Sequence, residues 1–381
     1  MKKTDGDLGR LWPSPAQELL LKAALLDGEE AVAAFRQWRD SVDLEGELGY
    51  PVLRLLPLTY HNLLRLGVDD PLMGRLKGVY RRFWCENQAM FFAMREVLQA
   101  FSQSGFKMLF LKGAPLVVSY YGNPALRPMS DLDIGFPLEQ VPKAFSAMKE
   151  VGWAPIEEGS ADEFKFYHAM LCHRDNWQMD VHYHMLRECL SGAADQWFWS
   201  DVEPLEFQGV KAWQPAPTSL LFHTIIHGVR WNEEPPIRWI PDALAVLRKR
   251  GGEVDWGKML AFADSQRLTC RLGLGLNYLA EHFGVELPSF VRQHLEDYRP
   301  GLQERIANAM ALTDIRRLYA NPLGKQWVVF ADYCSLAEAS NPFCLLWGFT
   351  HYLRYRWRLR GRLEIFPAVR DGLLRRLGLC R

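Results

Sequence analysis

The chain has 381 residues, more than one compact core normally organises, so two or three subdomains are expected. Its 45 Lys and Arg residues equal its 45 Asp and Glu residues, and bulk charge therefore gives no support to nucleic-acid binding. A hydrophobic content of 49% with 24% charged residues excludes a disordered chain and is ordinary for a globular protein.

Helices are predicted for most of the first hundred residues, because apolar residues recur there at helical spacing. The pattern indicates helices over 15–40, 53–66 and 71–104, and Gly105 ends the last of them. We assign residues 1–104 to an N-terminal helical region. Its apolar stripes are those of buried helix faces and need no cofactor to explain them.

A strand, a turn and a helix follow the N-terminal region in quick succession. The short apolar run 108–111 predicts a buried strand, and Lys112-Gly113 breaks it at a tight turn. Residues 114–121 then indicate a helix. Free N–H groups in the turn and the first turn of a helix stabilise an anion. The segment therefore predicts an anion-binding turn.

Two aspartates mark the next predicted strand, over 131–134. Strand alternation places Asp131 and Asp133 on the same face. Neighbouring carboxylates repel each other unless a cation lies between them, and oxygen ligands of this kind suit Mg²⁺. A cation site beside an anion-binding turn predicts a pocket for a nucleotide and its metal ion.

Further strands are predicted after a helix over 137–152. They cover 153–156, 164–170 and 176–184, and we assign residues 105–191 to one catalytic core. Alternation in the last strand places Asp180 and His182 on one face. A strand in the same sheet can bring the Asp180 carboxylate beside Asp131 and Asp133, and three carboxylates can hold two Mg²⁺ ions.

The order strand, Lys-Gly, helix, Arg-x-x-Ser-Asp-x-Asp resembles the nucleotidyltransferase superfamily that includes DNA polymerase beta. It is more closely similar to a bacterial nucleotidyltransferase family with Lys-Gly in the first turn, over about residues 57–250. The resemblance implies an α+β fold: a short mixed β-sheet flanked by helices, with an N-terminal helical lead-in and a C-terminal helical domain. It also implies transfer of a nucleoside monophosphate from an NTP such as ATP to an acceptor hydroxyl, with release of pyrophosphate and with Mg²⁺ or Mn²⁺ as cofactor.

The resemblance also implies roles for individual residues. Asp131, Asp133 and Asp180 would be the catalytic and metal-binding carboxylates. The nucleotide-binding residues would be Lys112, Gly113, Ala114, Arg127, Ser130, His182 and Arg238. The chain departs from the superfamily pattern at Ala114, where a small hydroxyl or a second glycine is usual. Asp242 is expected to cap the helix that follows Arg238, or else Asp242 and Arg238 both have plain structural roles.

Several histidines allow other interpretations. His168, Cys172, His173, His182 and His184 lie close together in sequence, but their spacing matches no standard zinc signature. His223 and His227 are four residues apart on a predicted helix over 217–229 and lack the glutamate of a metalloprotease motif. We expect this second pair to be buried and hydrogen-bonded.

Residues 192–381 are assigned to a mainly helical C-terminal domain with an Arg-rich tail. A segment with strand and loop character over 197–214 precedes helices over 217–229, 256–265, 268–283, 288–295 and 301–319. In the tail, 351–381, arginines alternate with other residues from Arg354 to Arg362. As a strand, this segment would have one cationic face, and as a helix it would be cationic nearly all round. The tail could bind a phosphate-rich partner such as RNA, an anionic membrane surface or a nucleotide-sugar product, or its arginine stems could pack on the protein.

Seven scattered cysteines without a CxxC motif indicate free thiols in a reducing cytoplasm. The N-terminus has no apolar segment of a signal peptide, and no run approaches 18 uncharged apolar residues, so no membrane span is expected. The acceptor is expected to be a small molecule. Two other classes remain open: an inactive nucleotide-binding scaffold, or a toxin-like nucleotidyltransferase that modifies RNA or protein.

Overall fold

The computed structural model of the chain describes residues 11–370 except 44, 45, 47, 157–166, 233, 315, 317, 319, 321, 338–340, 358, 368 and 369. The chain divides into two compact units, Met1–Arg299 and Pro300–Arg381. The larger unit contains one seven-stranded mixed sheet, and the smaller unit is helical where described. The predicted mixed sheet flanked by helices is thereby confirmed.

The sheet has the strand order β3-β4-β5-β2-β1-β7-β6. β1 runs antiparallel to β2 and parallel to β7, while β2 runs parallel to β5. Strands β3 and β6 form the two edges and contain Pro155 and Pro204. The strands are β1 Leu109–Leu111, β2 Leu132–Gly135, β3 Ala154–Pro155, β4 Ala169–Arg174, β5 Trp177–His182, β6 Val202–Phe207 and β7 Val210–Pro215.

Helices precede the sheet, connect its strands and follow it. In the larger unit they are α1 Pro15–Leu25, α2 Gly28–Ser41, α3 Tyr50–Leu53, α4 Leu56–Arg65, α5 Met73–Gln103, α6 Gly113–Pro115, α7 Val141–Glu150, α8 Gly192–Trp199, α9 Pro217–Gly228, α10 Trp239–Arg250, α11 Trp256–Gln266, α12 Thr269–Phe283 and α13 Ser289–Asp297. In the smaller unit they are α14 Leu302–Ala311, α15 Pro322–Leu336 and α16 Pro342–Arg356. Leu116–Tyr121 continues α6 as a π-helical turn.

Two predicted helices have different limits in the structure. The helix predicted over 15–40 is interrupted, because Leu26 and Asp27 are extended between α1 and α2. Gly28, the first residue of α2, has φ +60°, which glycine adopts without strain. In the predicted helix over 301–319, α14 ends at Ala311, and Arg316 and Leu318 are helical again after a break. A capping box at Ser14, with Gln17 three residues later, fixes the start of α1.

Most of the segment predicted as strand and loop over 197–214 is a hairpin of the main sheet, but its first three residues are helical and end α8. β6 and β7 pair along their full length, and the Met108 carbonyl accepts the backbone N–H of Trp213 beside β1. The sheet therefore continues past residue 191, where the sequence analysis begins its C-terminal domain. The strand predicted over 164–170 is described from Ala169 onward, and residues 164–166 lie outside the described residues.

One hydrophobic core lies between α5, α7 and one face of the sheet. It includes Phe101 from α5, Phe110 from β1 and Ile134 from β2, all fully buried. The apolar stripe of α5 is thus used for packing, as the sequence predicts. Within the described residues, no helix combines the length and the hydropathy that crossing a membrane requires.

The arginine alternation near the C-terminus begins within a helix. Arg354 and Arg356 form the last turn of α16, and a short 3₁₀ turn covers Arg362–Glu364. The strand alternative is therefore wrong for the first of these arginines. Residues 371–381 of the tail lie outside the described residues.

A close helix contact at Gly228 gives a first test of the fold. A Cβ at Gly228, the last residue of α9, would lie 2.1 Å from the indole Cγ of Trp239 in α10. Because this ring is rigid and buried, Gly228→Ala is expected to destabilise the protein by about 1–3 kcal/mol. Chemical unfolding monitored by circular dichroism measures this change.

Gly78→Ala is the matched control for Gly228→Ala. Gly78 lies in the exposed interior of α5, and a Cβ there would meet nothing within 4 Å. Alanine at an exposed helix position should stabilise the protein by roughly 0.5–1 kcal/mol. Equal effects of the two variants would contradict the described α9–α10 contact.

Candidate active site

Three strands bring the predicted carboxylates and Lys112 together. Asp133 of β2 pairs with Leu111 of β1 on one side and with Asp180 of β5 on the other. Lys112 follows β1 directly, so its side chain starts beside Asp133. Strand register alone therefore places two carboxylates and one ammonium group side by side, as the sequence pattern predicts for Asp133 and Asp180.

Asp133 is buried and accepts hydrogen bonds from two cationic or potentially cationic groups. Its Oδ1 lies 2.5 Å from Lys112 Nζ and 2.9 Å from His182 Nε2. The other ring nitrogen of His182 lies 3.3 Å from the His184 carbonyl oxygen. Both ring nitrogens thus face oxygen atoms, and these contacts fix the orientation of the ring. No described residue donates to the Oδ2 of Asp133.

Lys112 reaches Asp133 from a strained backbone position. Its φ of 50° and ψ of −106° lie outside the regions that residues with a Cβ normally adopt. Such strain costs on the order of 1–3 kcal/mol and persists only where surrounding contacts maintain it. The ion pair with Asp133 is one such contact, so the turn between β1 and α6 is shaped around this lysine.

Burial and neighbouring charge separate the pKa values of the two carboxylates. Burial alone would raise the pKa of Asp133, but Lys112 and the hydrogen bond from His182 outweigh it and hold that pKa well below its usual range. Burial, and then the negative charge of Asp133, raise the pKa of Asp180. No described residue forms a hydrogen bond or ion pair with Asp180. Asp133 is thus firmly ionised, while Asp180 can take up a proton.

The donor set fits a divalent cation. Ligand atoms of Asp133, Asp180 and His182 all lie within 4.8 Å of one another, and this is the single such group found in the described part of the chain. The free Oδ2 of Asp133 and the unpaired Asp180 carboxylate are hard oxygen donors. Asp131 precedes β2, lies outside this group and accepts a hydrogen bond from Ser130 Oγ at 3.2 Å.

A buried asparagine holds the loop that leads into β2. Asn87 of α5 donates from its side-chain nitrogen to the carbonyls of Pro124 and Arg127, at 2.6 and 2.9 Å. Its side-chain oxygen accepts the backbone N–H of Met129. The same loop packs on the Lys112-Gly113 turn, because a Cβ at Gly113 would lie 2.6 Å from Met129. The loop position therefore depends on Asn87 and Gly113.

Asp242 anchors Arg127 and does not cap a helix. Arg127 Nη2 donates to its carboxylate at 2.9 Å, and the Tyr121 hydroxyl donates at 2.9 Å. Asp242 lies inside the first turn of α10, whose N-cap position is Arg238. The expectation that Asp242 caps this helix is therefore wrong, because its carboxylate is taken by the buried arginine.

A cleft of about 430 Å³ joins these groups. Seven predicted site residues line it: Lys112, Arg127, Ser130, Asp131, Asp133, Asp180 and Arg238. Gly113, Ala114 and His182 are not among its lining residues, and all three are buried behind it. Another cleft, of about 540 Å³, lies where α10 approaches the end of α12 and has no carboxylate pair. Grouped ionisable side chains, and not size, identify the candidate active site.

Two further histidines near the site, His168 and His223, have lowered pKa values and are neutral. Burial lowers the pKa of His223 to about 3 and that of His168 to about 2. His223 Nε2 contacts the Met185 carbonyl oxygen at 3.1 Å, and its ring stacks on that of His227. His184 is paired with Asp195 of α8. Among the described residues, none of His168, Cys172 and His173 belongs to a metal-ligand group.

Sequence analysis missed two residues of this region. Arg54 lines the cleft from the N-terminal helical region, and Asn87 fixes the loop before β2. Asn87 interrupts the apolar stripe of α5, and a polar residue at a stripe position is a signal for a buried hydrogen-bond partner. Arg54 carries no such signal, because one arginine beside a predicted helix is common.

A family model described as "Uncharacterised nucleotidyltransferase" matches residues 52–284. No curated protein matches the chain. Among solved structures, the chain is similar to the crystal structure of ANT(2″)-Ia in complex with adenylyl-2″-tobramycin, at 12% identity and a TM-score of 0.35, over 46% of this chain and 98% of that one. It is also similar to the solution structure of the antibiotic-resistance factor ANT(2″)-Ia, at 14% identity and a TM-score of 0.36, over 51% of this chain and 99% of that one.

Proposed function

We propose that this chain, which belongs to the family of uncharacterised nucleotidyltransferases, transfers a nucleoside monophosphate from an NTP to the hydroxyl of a small-molecule acceptor. The family resemblance seen in the sequence is confirmed, and the chain is a nucleotidyltransferase enzyme. The observation that carries the proposal is the pairing of Asp133 with Asp180 across β2 and β5, beside Lys112.

In this proposal Asp133, Asp180 and Asp131 hold Mg²⁺ or Mn²⁺. The ion, when bound, neutralises phosphate charge and makes an acceptor hydroxyl more acidic. Asp133 and Asp180 supply the nearest oxygen donors, and Asp131 lies beside them in the same cleft. His182 acts as a positioning residue, because its hydrogen bond fixes the Asp133 carboxylate from the buried side.

The nucleotide phosphates are assigned to the cationic side of the cleft. Lys112, Arg127 and Arg238 line it, and Ser130 adds a hydroxyl. Gly113 and Ala114 support the turn that carries Lys112 and leave no room for a larger side chain, since Gly113 packs against Met129. Positive groups fixed before the reaction stabilise the charge that develops on the phosphates during transfer.

Asp180 is assigned as the base. The acceptor oxygen forms a bond to the α-phosphorus, and the bond from this phosphorus to the oxygen that bridges to the β-phosphorus breaks. That oxygen keeps the electron pair and leaves with pyrophosphate, while the acceptor proton passes to Asp180. The raised pKa of Asp180 suits it for this proton.

The dimensions of the cleft favour a small acceptor. A volume of about 430 Å³ is within the range of sites that enclose small molecules. The side chains around the carboxylates are supplied by α9, α10 and the turn at Tyr50, which enclose the site on several sides. No described feature favours the scaffold or the toxin-like alternative over small-molecule transfer.

Asp180→Asn is the variant that tests this function. Calorimetry with each of the four NTPs and Mg²⁺ should show metal-dependent binding to the wild type and a loss of at least about tenfold in the variant. The melting temperature should stay equal or rise, because burial of the unpaired Asp180 charge is unfavourable. Absence of NTP binding to the wild type at millimolar concentration would overturn the proposal.

A further inference from the structure

We propose that Arg54, Arg127 and Arg238 form a single subsite for the β- and γ-phosphates, the part of the nucleotide that leaves as pyrophosphate. The inference rests on the proposed nucleotidyl transfer and deepens it, since it assigns one portion of the substrate to one cluster of side chains. It also adds Arg54, which lies in the N-terminal helical region, to the site.

Three separate parts of the chain bring these guanidinium groups together. Arg54 follows α3, Arg127 lies in the loop before β2, and Arg238 precedes α10. Arg54 Nη2 and Arg238 Nη1 each donate to the same acceptor, the Pro128 carbonyl oxygen, at 2.9 Å. Arg127 is the neighbour of Pro128 in sequence. All three side chains line the cleft that holds Asp133 and Asp180.

The positive charge of this cluster is not balanced by the described residues. Asp242 is the carboxylate paired with it, and it lies 2.9 Å from Arg127 Nη2 but 3.9 Å from Arg238 Nη2. Arg54 has no ion pair within the described part of the chain. The Nε atoms of Arg54 and Arg238 are buried and find no acceptor among the described residues. Two donors are thus left without a partner.

Electrostatics point the same way as the geometry. Burial, and then the charge of Arg127, lower the pKa of Arg54. Burial, and then the charges of Arg54 and Arg127, lower the pKa of Arg238. A guanidinium group does not give up its proton in proteins, so the lowered pKa means that the surroundings destabilise the charged side chain. A polyanion in the cleft would remove this cost and would accept the unused N–H groups in bidentate fashion.

Position distinguishes the leaving phosphates from the rest of the nucleotide. Asp131 lies close enough to Arg54 and Arg127 for its charge to raise the pKa of each, and it is two residues from Asp133. The cleft therefore runs from the Asp133–Asp180 pair, past Asp131, to the arginines. A triphosphate whose α-phosphate reacts at the carboxylates extends its β- and γ-phosphates towards the arginine cluster.

Inorganic pyrophosphate in EDTA tests this subsite without metal, acceptor or turnover. Calorimetry should show binding to the wild type and at least tenfold weaker binding to Arg54→Gln and Arg238→Gln, as expected when a hydrogen bond to a charged group is lost. Arg54→Lys should bind pyrophosphate with intermediate affinity, because lysine keeps the positive charge but lacks the paired N–H donors of a guanidinium group. Melting temperatures establish that each variant is folded.

Arg248→Gln is the matched control. Arg248 is also partly buried and also donates to a backbone carbonyl, that of Leu25 at 2.7 Å, but it lines the other cleft. The affinity of the Arg248→Gln variant for pyrophosphate should stay within about twofold of that of the wild type, because the substitution is distant from the ligand. Equal pyrophosphate binding by the wild type and by folded Arg54→Gln or Arg54→Lys would overturn the inference.

NTP binding separates this inference from the proposed function. If Mg²⁺-dependent NTP binding is present but insensitive to Arg54→Gln and Arg238→Gln, the function stands and the subsite assignment is wrong. The subsite assignment is also wrong if the variants weaken pyrophosphate binding but leave NTP binding unchanged, since the arginines then bind an anionic acceptor. If pyrophosphate binding depends on the arginines while no NTP binds, the proposed function fails and the anion site remains.

Discussion

Replacement of Asp133 by asparagine is expected to slow pyrophosphate release by about 10³-fold or more, the size of effect found when a charge fixed at a transferring phosphoryl group is removed. Asp133 contacts both Lys112 and His182, and it pairs with Asp180 across β2 and β5. Asparagine keeps the acceptor oxygen for these contacts but removes the negative charge. The measurement is Mg²⁺-dependent release of pyrophosphate from the NTP that binds.

Asp195→Asn is the matched control, because Asp195 is also an aspartate paired with a buried histidine next to this sheet. Its Oδ2 lies 2.6 Å from His184 Nδ1, and its Oδ1 accepts the Met185 backbone N–H. Loss of this pair should lower stability and leave pyrophosphate release within a few-fold of the wild type. Comparable activity losses in both variants would show that any aspartate–histidine pair in this region matters equally, and the role given to Asp133 would be wrong.

Asp242→Asn is expected to produce the largest loss of stability, about 3–5 kcal/mol, the usual cost of removing one partner of a buried ion pair. Its side chain is 5% exposed and that of Arg127 is 11% exposed, so water cannot replace the lost carboxylate. The variant leaves three arginines near one carbonyl without a counter-ion. Calorimetric unfolding should show a melting temperature lower by roughly 10 °C for a unit of this size.

The same pair predicts how stability depends on pH. Burial would raise the pKa of Asp242, but Arg127 and Arg238 outweigh it and lower that pKa overall. Because the pKa is lower in the folded protein, the ionised Asp242 stabilises it fully above the pKa of about 3.9 that an aspartate has in the unfolded chain. This stabilisation is lost as the pH falls from there towards the pKa of Asp242 in the folded protein. Below pH 4 the wild-type melting temperature should therefore fall towards that of Asp242→Asn.

Asp201→Asn serves as the control for Asp242→Asn. Asp201 pairs with Lys258 at 2.6 Å, but both side chains are about one-third exposed to solvent. An ion pair of this kind contributes only about 0–1 kcal/mol. A melting temperature of Asp242→Asn as high as that of Asp201→Asn would contradict the structural role of the buried pair.

Local pattern was sufficient to predict the centre of the site. Asp133 and Asp180 lie on strands whose alternation fixes their face, and parallel pairing of β2 with β5 brings them into register. Helix periodicity likewise predicted α5 and its buried stripe. These features depend on residues that are near one another in sequence or on one pairing of strands.

Long-range contacts are what the sequence pattern does not contain. Arg54 and Arg238 meet at the Pro128 carbonyl although they are far apart in the chain, and no local spacing encodes that meeting. The β6–β7 hairpin was predicted only as a segment with strand and loop character, because Pro204 and Gly209 obscure its alternation. Asp242 was expected to cap α10, and only the buried position of Arg127 shows what its carboxylate does.

The two outer strands of the sheet carry a further consequence for the behaviour of the protein in concentrated solution. Pro155 in β3 and Pro204 in β6 lack the N–H that an added strand would need, and Glu203 and Glu206 flank the second of them. Proline and charge at sheet edges oppose pairing with the strands of another molecule. The open sheet is thereby protected at both ends from growth into aggregates.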